Sequence, residues 1–257
     1  MHSEFGMYDL FKHALYQIAQ LLFFRKGVKR RINSAEISFP IEFARYYDSS
    51  NEPLKQAFIE KFACGVSLDL GAHIGLYTVL LSRKSQRVLA FEPSKATRRI
   101  LNQTLKLNAC TNVEVRSECV TSTSGEIVFY DTGTRGSNAN SIVPIGKPKT
   151  EPSLRIDDLN IEFDFIKIDI EGSELVALQG ALKTLSTTKF MTLEVHPALL
   201  NLLGQSSSEI FKLLEVYNPQ YFYLGELTLP EVLENIEHQY EINIVFSSTV
   251  KEKSQFH

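Results

Sequence analysis

The stretch Ser67-Leu-Asp-Leu-Gly-Ala-His-Ile-Gly-Leu-Tyr-Thr78 decides the fold of this chain. It predicts an apolar strand that ends near an acidic residue, then a turn punctuated by glycines, then the start of a helix. A second predicted strand, Val88 to Phe91, follows and is capped by Glu92. Glycines let a backbone approach a ligand, and a carboxylate beyond the second strand can accept hydrogen bonds from ribose hydroxyls. The arrangement predicts a nucleoside-binding site.

The glycine spacing of this turn distinguishes between nucleoside cofactors. A pyrophosphate-binding turn has the pattern Gly-x-Gly-x-x-Gly, whose backbone amides hold the phosphates at a helix N-terminus. Here the turn has only Gly71 and Gly75, and Asp69 stands just before it. A carboxylate at that position repels a pyrophosphate but suits a cationic ligand. The segment therefore favours S-adenosylmethionine, which carries a sulfonium and an ammonium and no phosphate, over NAD.

Length and composition limit the possible classes of protein. A chain of 257 residues, 44% of them hydrophobic, is typical of one globular domain with a sizeable core. The formal net charge of −3 gives no drive toward nucleic acid, so no nucleic-acid partner is expected. The three cysteines have no metal-ligand spacing, and the sequence has no signal-peptide pattern and no membrane-spanning run. These features predict a cytoplasmic protein.

The residues before the glycine turn are predicted to form a separate segment. Apolar residues recur at helical spacing from Met7 to Phe24, and basic residues follow between Arg25 and Arg31. We expect an N-terminal helical extension over residues 1–60 and a catalytic domain over residues 61–257. The basic segment has two interpretations. Residues 7–31 either make a weak contact with an anionic membrane surface or cover the substrate, or they form a helix packed on the domain.

Strand and helix patterns alternate along the rest of the chain. Further strands are predicted at residues 113–120, 163–170, 190–195, 221–224 and 242–246, and helices at residues 94–107, 173–185 and 207–217. A short strand at residues 127–130 is expected to pair back on the strand at 113–120, and residues 133–149 are predicted to be a loop. The alternation predicts an α/β fold with a doubly wound, mostly parallel seven-stranded sheet of the Rossmann-like type.

A second informative segment is Asp164-Phe-Ile-Lys-Ile-Asp-Ile-Glu-Gly-Ser-Glu174. It places Asp169 and Glu171 where the fourth predicted strand ends, on the rim where open α/β sheets bind their ligands. These carboxylates could take a proton from a substrate hydroxyl, hold a cation or bind substrate hydroxyls. In the alternative interpretation, Glu171 caps the next helix and Asp169 pairs with Lys167 or a backbone amide.

Taken together, these segments resemble the FkbM-type methyltransferases. The matching stretches are Ser67 to Thr78, Phe91-Glu92-Pro93, Leu154 to Leu159, Lys167 to Gly172, Gly180-Ala181 and Glu194-Val195-His196-Pro197. The resemblance implies S-adenosylmethionine as cofactor and methyl transfer to an oxygen, often the hydroxyl of a sugar, glycan or natural product. One departure from the family pattern is His73, where the family more often has Asn.

The resemblance also implies residues for the cofactor site. Asp69 would hold the ammonium directly or through water, Glu92 would accept the ribose hydroxyls, and Glu118 or Cys119 would contact the adenine edge. The methionine portion would lie against the turn residues Gly71, Ala72, His73 and Gly75.

Three residues are candidates for catalysis: Asp169, Glu171 and His196. Asp169 and His196 are the candidate general bases, His196 because it ends the fifth predicted strand and histidine titrates near neutrality. In the alternative, His196 only begins the helix at Pro197. These side chains and Glu194 could gather a divalent ion, but their spacing matches no recognised ligand set, so no metal is predicted.

Three functions remain open from the sequence. The leading one is a methyltransferase that acts on a hydroxyl of a small molecule or glycan. The second is an NAD-dependent oxidoreductase of Rossmann type, against which the missing third glycine and Asp69 argue. The third is a catalytically inactive cofactor-binding protein, which Asp169 and Glu171 make less fitting. The sequence predicts neither the particular acceptor nor the oligomeric state.

Overall fold

The computed structural model describes residues 27–47, 52–132, 136–137, 140–223, 226–227 and 236–246. The helix predicted from Met7 to Phe24 lies outside these residues. The strands are β1 (Val28–Ile32), β2 (Ala35–Phe39), β3 (Val66–Leu70), β4 (Arg87–Phe91), β5 (Val113–Arg116), β6 (Cys119–Val120), β7 (Gly125–Asp131), β8 (Lys147–Leu154), β9 (Phe165–Ile168), β10 (Phe190–Val195), β11 (Pro219–Tyr223), β12 (Glu226–Leu227) and β13 (Tyr240–Phe246). The α-helices are α1 (Pro53–Phe62), α2 (Leu76–Lys84), α3 (Lys95–Leu107), α4 (Glu174–Gln179), α5 (Leu182–Leu185), α6 (Pro197–Leu202) and α7 (Ser207–Glu215).

The centre of the fold is a sheet with the strand order β12-β11-β13-β10-β9-β3-β4-β5. The five strands β10, β9, β3, β4 and β5 run parallel to one another. Strand β13 runs antiparallel between β10 and β11. The seven strands predicted for this sheet are all present, and the two-residue strand β12 extends it at one edge. The predicted doubly wound, mostly parallel α/β fold is therefore confirmed.

Helices cover both faces of this sheet. On one face, Leu70 of β3 belongs to the same buried cluster as Leu178 of α4. On the other face, Val88 of β4 clusters with Ile100 of α3. Strand β10 is buried at every position, as expected for a parallel strand covered on both sides. No helix among the described residues is long and apolar enough to cross a membrane.

A second, three-stranded sheet corrects the predicted pairing of the third strand. The strand predicted at residues 113–120 divides into β5 in the central sheet and β6 in a sheet of order β6-β8-β7. Strand β7 pairs with β8 instead of turning back onto β5, so the pairing predicted for residues 127–130 is wrong. Part of the loop predicted at residues 133–149 is also wrong, because β8 begins at Lys147.

The prolines of β8 explain why this strand was missed. Pro148 and Pro152 lack the N–H of a normal strand residue and are typical of loops. Strand β6 pairs only with Ser153 and Leu154 of β8. Strand β7 lies opposite both prolines on one side of β8. Among the described residues, no strand pairs with the prolines on the other side, and proline is tolerated in a strand with such an open edge.

The extension predicted to be helical over residues 1–60 is only partly helical where the structure describes it. Strands β1 and β2 form an antiparallel hairpin, whose turn contains Asn33 at a φ of 50°. Asparagine tolerates this left-handed conformation, which a tight hairpin turn requires. Ile37 of the hairpin and Ile59 of α1 belong to the same buried cluster as Val79 of α2. The hairpin and α1 therefore pack directly on the α/β core.

Candidate active site

A cavity of about 460 Å³ lies at the carboxyl ends of β3, β4, β9 and β10. This is the edge at which open α/β sheets bind their ligands, and the volume is typical of a small-molecule site. The cavity has two parts. Gly71, Ala72, His73 and Glu92 line the first part, whereas Gly75 of the turn does not line the cavity. Asp169, Glu171 and Glu194 line the second part. We call them the turn half and the carboxylate half.

The glycine turn requires glycine at its first position. Gly71 has a φ of +76°, and a Cβ atom there would lie 1.8 Å from the carbonyl oxygen of Asp169. No side chain fits that space. The amides of Gly71 and Ala72 donate to the carbonyl of Phe91 at 3.1 and 3.0 Å, which ties the turn to the end of β4. Gly75, at a φ of +99°, precedes α2.

Glu92 is held by backbone amides at the end of β4. Its Oε2 accepts a hydrogen bond from the amide of His73 at 3.0 Å, and its Oε1 accepts one from the amide of Ser94 at 2.9 Å. Burial raises the pKa of Glu92 to about 7. Each carboxylate oxygen can accept a second hydrogen bond. Glu92 lines the cavity, as its predicted role requires.

His73, the departure from the family pattern, joins three segments of the chain. Its Nε2 lies 2.9 Å from the carbonyl oxygen of Gly136, and its Nδ1 lies 2.9 Å from the hydroxyl of Tyr47. A carbonyl only accepts, so Nε2 carries the hydrogen and Nδ1 accepts from Tyr47. Burial lowers the pKa of His73, which favours this neutral form. The two contacts hold His73 at its left-handed φ of 50°.

Asp69 lies behind the cavity and is not part of its lining. Its side chain is fully buried, with Oδ2 accepting from the hydroxyl of Thr78 at 2.6 Å and Oδ1 lying 3.3 Å from the Nζ of Lys167. Lys167 also donates to the carbonyls of Leu70 and Gly71 at 3.1 and 2.7 Å. This placement favours a role for Asp69 in fixing the turn over direct contact with a ligand.

Glu118 and Cys119 line the cavity on the side of the turn half, and they lie after β5 has ended. Glu118 pairs with Arg116, and this hydrogen bond lowers the pKa of its carboxyl. Cys119 begins β6, and burial raises the pKa of its thiol to about 12. The thiol is therefore neutral at physiological pH.

Asp169 faces two lysines in the carboxylate half. Its Oδ2 lies 3.6 Å from the Nζ of Lys167 and 4.0 Å from that of Lys55. Burial alone would raise the pKa of Asp169, but the charges of Lys167 and Lys55 outweigh it and lower the pKa to about 2. Asp169 is therefore ionised at neutral pH and is a weak base.

Lys55 is a central residue of this half that the sequence analysis missed. It projects from α1 and is fully buried, with its Nζ 2.7 Å from Oε2 of Glu194 and 3.8 Å from Oε2 of Glu241. It also pairs with Glu52. Lys55 lies one helical turn before the buried Ile59 and therefore on the buried face of α1. A lysine on that face was the sequence signal that could have indicated a buried ion pair.

Glu171 and Glu194 are the carboxylates of this half with raised pKa values. Burial raises the pKa of Glu171 to about 7 and that of Glu194 to about 8. Glu171 has a left-handed φ of 52°, and its carbonyl oxygen accepts a hydrogen bond from the hydroxyl of Ser141 at 2.7 Å. Both carboxylates line the cavity, although the sequence analysis did not name Glu194 as catalytic.

His196 lies behind these carboxylates and is not part of the lining. Its Nδ1 is 2.9 Å from Oε1 of Glu174, and its Nε2 is 3.4 Å from Oε2 of Glu171. Burial lowers the pKa of His196, but the hydrogen bond and charge of Glu174 and the charge of Glu171 outweigh it and raise the pKa to about 9. A protonated imidazole cannot accept a proton, so this placement favours positioning over general-base catalysis.

Aromatic side chains that the sequence analysis did not single out form one wall of the cavity. Tyr46, Tyr47 and Tyr77 all line it. The ring of Tyr46 lies 5.0 Å from those of both Tyr47 and His73, and this residue is 41% exposed. The rings are inclined to one another, by 72° for Tyr46 and Tyr47, so a sugar ring or a base could pack against the face of a single ring.

Comparison with known proteins identifies the family. Residues 69–221 match the family described as the methyltransferase FkbM domain, and this chain belongs to that family. The predicted resemblance is thus confirmed.

A curated relative gives a more particular comparison. The hexuronic acid methyltransferase AglP of Haloferax volcanii is 28% identical over 152 residues, which cover 57% of this chain and 59% of that protein. The match therefore spans less than two thirds of the relative.

Solved structures with a similar fold have low sequence identity. An rRNA methylase from Streptococcus thermophilus is 10% identical, with a TM-score of 0.46, over 75% of this chain and 94% of that chain. The O-methyltransferase from Bacillus cereus in complex with SAH is 14% identical, with a TM-score of 0.40, over 76% of this chain and 81% of that chain.

Proposed function

We propose that this protein is an S-adenosylmethionine-dependent methyltransferase that methylates a hydroxyl of a sugar, glycan or natural product. The observation that carries the proposal is the cavity at adjacent strand ends, which joins the glycine turn and Glu92 to the carboxylates of the second half. Membership of the FkbM family supports methyl transfer. The relative named as a hexuronic acid methyltransferase supports a sugar acceptor.

The turn half fits S-adenosylmethionine. Gly71 lets the turn pack against the carbonyl of Asp169 and line the cavity, where the methionine portion would lie. Glu92 keeps acceptor capacity for the ribose hydroxyls. Glu118 and Cys119 line the same half and would contact the adenine. The carboxylates that line this cavity favour a cationic ligand over a pyrophosphate. Asp69 would act through the turn by pairing with Lys167.

The chemistry needs little from the protein beyond positioning and proton removal. When bound, S-adenosylmethionine would supply an electrophilic methyl group on its sulfonium. The acceptor oxygen would bond to the methyl carbon as the carbon–sulfur bond breaks, and the electron pair of that bond would stay on sulfur. Good positioning lowers such a barrier by roughly 7–11 kcal/mol. A general base adds about 100- to 10,000-fold in rate.

Two carboxylates of the cavity are placed to accept the hydroxyl proton. Glu171 and Glu194 both line the carboxylate half, and pKa values of about 7 and about 8 suit a base that works near neutral pH. Asp169, which Lys55 and Lys167 keep ionised, would accept hydrogen bonds from other acceptor hydroxyls. His196 would position Glu171.

The first test distinguishes a methyltransferase from an NAD-dependent oxidoreductase. Calorimetry should detect binding of S-adenosylmethionine and S-adenosylhomocysteine, and Glu92→Ala should weaken both. A matched control is Glu114→Ala, which removes an exposed carboxylate paired with Arg87. Tight binding of NADH and none of S-adenosylmethionine would overturn the proposal in favour of an oxidoreductase.

The second test concerns turnover and the acceptor. The protein is incubated with S-adenosylmethionine carrying a labelled methyl group and with hexuronic acids, neutral hexoses and phenolic glycosides. We expect label in an O-methyl ether of a sugar, identified by mass spectrometry and NMR. Cofactor binding with no product from any acceptor would support the inactive cofactor-binding protein instead.

A further inference from the structure

We propose that Asp169, Glu171 and His196 form a binding site for one divalent metal ion in the carboxylate half of the cavity. One ligand atom of each residue lies within 4.8 Å of those of the other two. Metal–ligand bonds of about 2.0–2.2 Å hold opposite ligand atoms about 4.2 Å apart, so small side-chain rotations close the site. The sequence predicted no metal, because the residues are spaced irregularly. The ends of β9 and β10 bring them together.

The orientation of His196 is that of a metal ligand. Its Nδ1 is paired at 2.9 Å with Glu174, a fully buried carboxylate that the amide of Gly172 holds at 2.8 Å. This pairing turns Nε2 toward Oε2 of Glu171 and Oε1 of Glu194, at 3.4 and 3.8 Å. Histidines that bind metals commonly give their other ring N–H to a carboxylate in this way. A metal ion bound to Nε2 would displace the proton that Glu174 and Glu171 favour on the imidazole. Glu174 does not line the cavity and so would not contact a ligand. Its contact with His196 therefore accounts for a carboxylate at this buried position.

The charges around the three residues favour a cation. Five carboxylates lie within 4.0 Å of the Nζ atoms of Lys55 and Lys167. Glu171 and Glu174 add two more, and both face His196. Among the described residues, seven carboxylates therefore share this buried place with Lys55, Lys167 and His196, and a bound cation would favour the ionised forms of these carboxylates.

The lysines do not occupy the proposed site. Lys167 and Lys55 approach Oδ2 of Asp169 at 3.6 and 4.0 Å, which leaves Oδ1 as a ligand atom. Two carboxylates and one imidazole suit a divalent ion of the Mn²⁺ type, because oxygen ligands favour Mg²⁺ and Mn²⁺ and imidazole favours transition metals.

Such an ion would help to bind the acceptor, a consequence that rests on the proposed function. Three protein ligands leave coordination positions open toward the cavity, where oxygen atoms of the acceptor would bind. An acceptor with two adjacent oxygens, such as a hydroxyl beside a carboxylate or a second hydroxyl, would chelate the ion. Since Glu171 is then a ligand, Glu194 is the carboxylate left in this half to accept the proton.

The test measures Mn²⁺ binding to the full chain by electron paramagnetic resonance, in which the signal of free hydrated Mn²⁺ falls as the ion binds. We expect one site per chain, with Glu171→Gln and His196→Gln each weakening it at least tenfold. Glu174→Gln should weaken it about 10- to 100-fold, as expected for a partner that orients a ligand. The controls are Glu114→Gln, an exposed carboxylate outside the cavity, and His238→Gln at an exposed position, which should bind like the parent.

Two readouts keep this proposal separate from the proposed function. Thermal unfolding confirms that each variant is folded, and calorimetry with S-adenosylhomocysteine reports the turn half. Equal Mn²⁺ binding by parent and ligand variants, or no stoichiometric binding by a parent that binds S-adenosylhomocysteine, overturns the metal site alone. Stoichiometric Mn²⁺ binding that the ligand variants lose supports the site, even if no methyl transfer is found.

Discussion

The two halves of the cavity differ in what holds their polar groups. In the turn half, backbone amides hold Glu92 and a backbone carbonyl orients His73. In the carboxylate half, side chains hold side chains, as Lys55 does for Glu194 and Glu174 does for His196. Backbone contacts fix one geometry regardless of neighbouring side chains, whereas a network of charges depends on every member. The comparison indicates that nearby backbone groups fix the geometry of the first half, whereas the second half depends on side chains from several elements.

The largest expected effect tests the dependence of the carboxylate half on one cation. Lys55→Met removes the charge that Glu52, Glu194 and Glu241 share. Removing one partner of a buried ion pair costs about 3–5 kcal/mol, because the remaining charges stay buried. Urea unfolding should show a loss of this size, against little change for Lys61→Met on the exposed side of α1. Equal stability of the two variants would contradict the network.

The next effect separates the proton acceptor from its neighbours. Glu194→Gln should lower kcat about 100-fold or more, as expected for loss of a general base, and should leave the affinity for S-adenosylhomocysteine unchanged. The measurement is single-turnover kinetics with the acceptor that the labelled-methyl test identifies. Retained turnover in Glu194→Gln would transfer the role to Glu171.

A smaller effect addresses the turn half alone. Glu92→Gln replaces the charged acceptor with a neutral one, and hydrogen bonds to charged groups contribute about 1.5–3 kcal/mol. We expect the affinity for S-adenosylhomocysteine to fall about 10- to 100-fold in calorimetry, while Mn²⁺ binding stays the same. A variant that loses both kinds of binding would show that the halves are not separate.

The smallest effect is a pH dependence that belongs to Glu92. Burial raises its pKa to about 7, and ribose hydroxyls donate best to the ionised form. The affinity for S-adenosylhomocysteine should therefore rise as the pH increases from 6 to 8, by about tenfold, and level off above. Calorimetry across this range on the parent and on Glu92→Gln checks it, since the variant lacks the titrating group. The same slope in both proteins would assign the titration to another residue.

The sequence predicted best what depends on residues close together in the chain. The turn from Gly71 to Gly75 and Glu92 follow from local strand–turn patterns, and so do the seven strands of the central sheet. Lys55 was missed because its partner Glu194 is far away in the chain and no local pattern links them. The pairing of β7 was wrong for a related reason: which strand pairs with which is a property of the whole sheet.

The roles of Asp169 and His196 show a second limit of sequence reasoning. Both residues lie at the predicted strand ends, but their charge states depend on neighbours from other elements. Lys55 and Lys167 keep Asp169 ionised, and Glu174 keeps His196 protonated. A residue type therefore indicates a possible role. The surrounding charges set its pKa and so decide whether it can act as a general base or only bind and position other groups.

The segment between β7 and β8 contacts both halves. The carbonyl of Gly136 meets the imidazole of His73, and the hydroxyl of Ser141 meets the backbone of Glu171. Through these two hydrogen bonds, a shift of His73 in the turn half and a shift of Glu171 in the carboxylate half would act on the same segment. If a ligand in one half changes the affinity of the other, the second ligand changes the first affinity by the same factor.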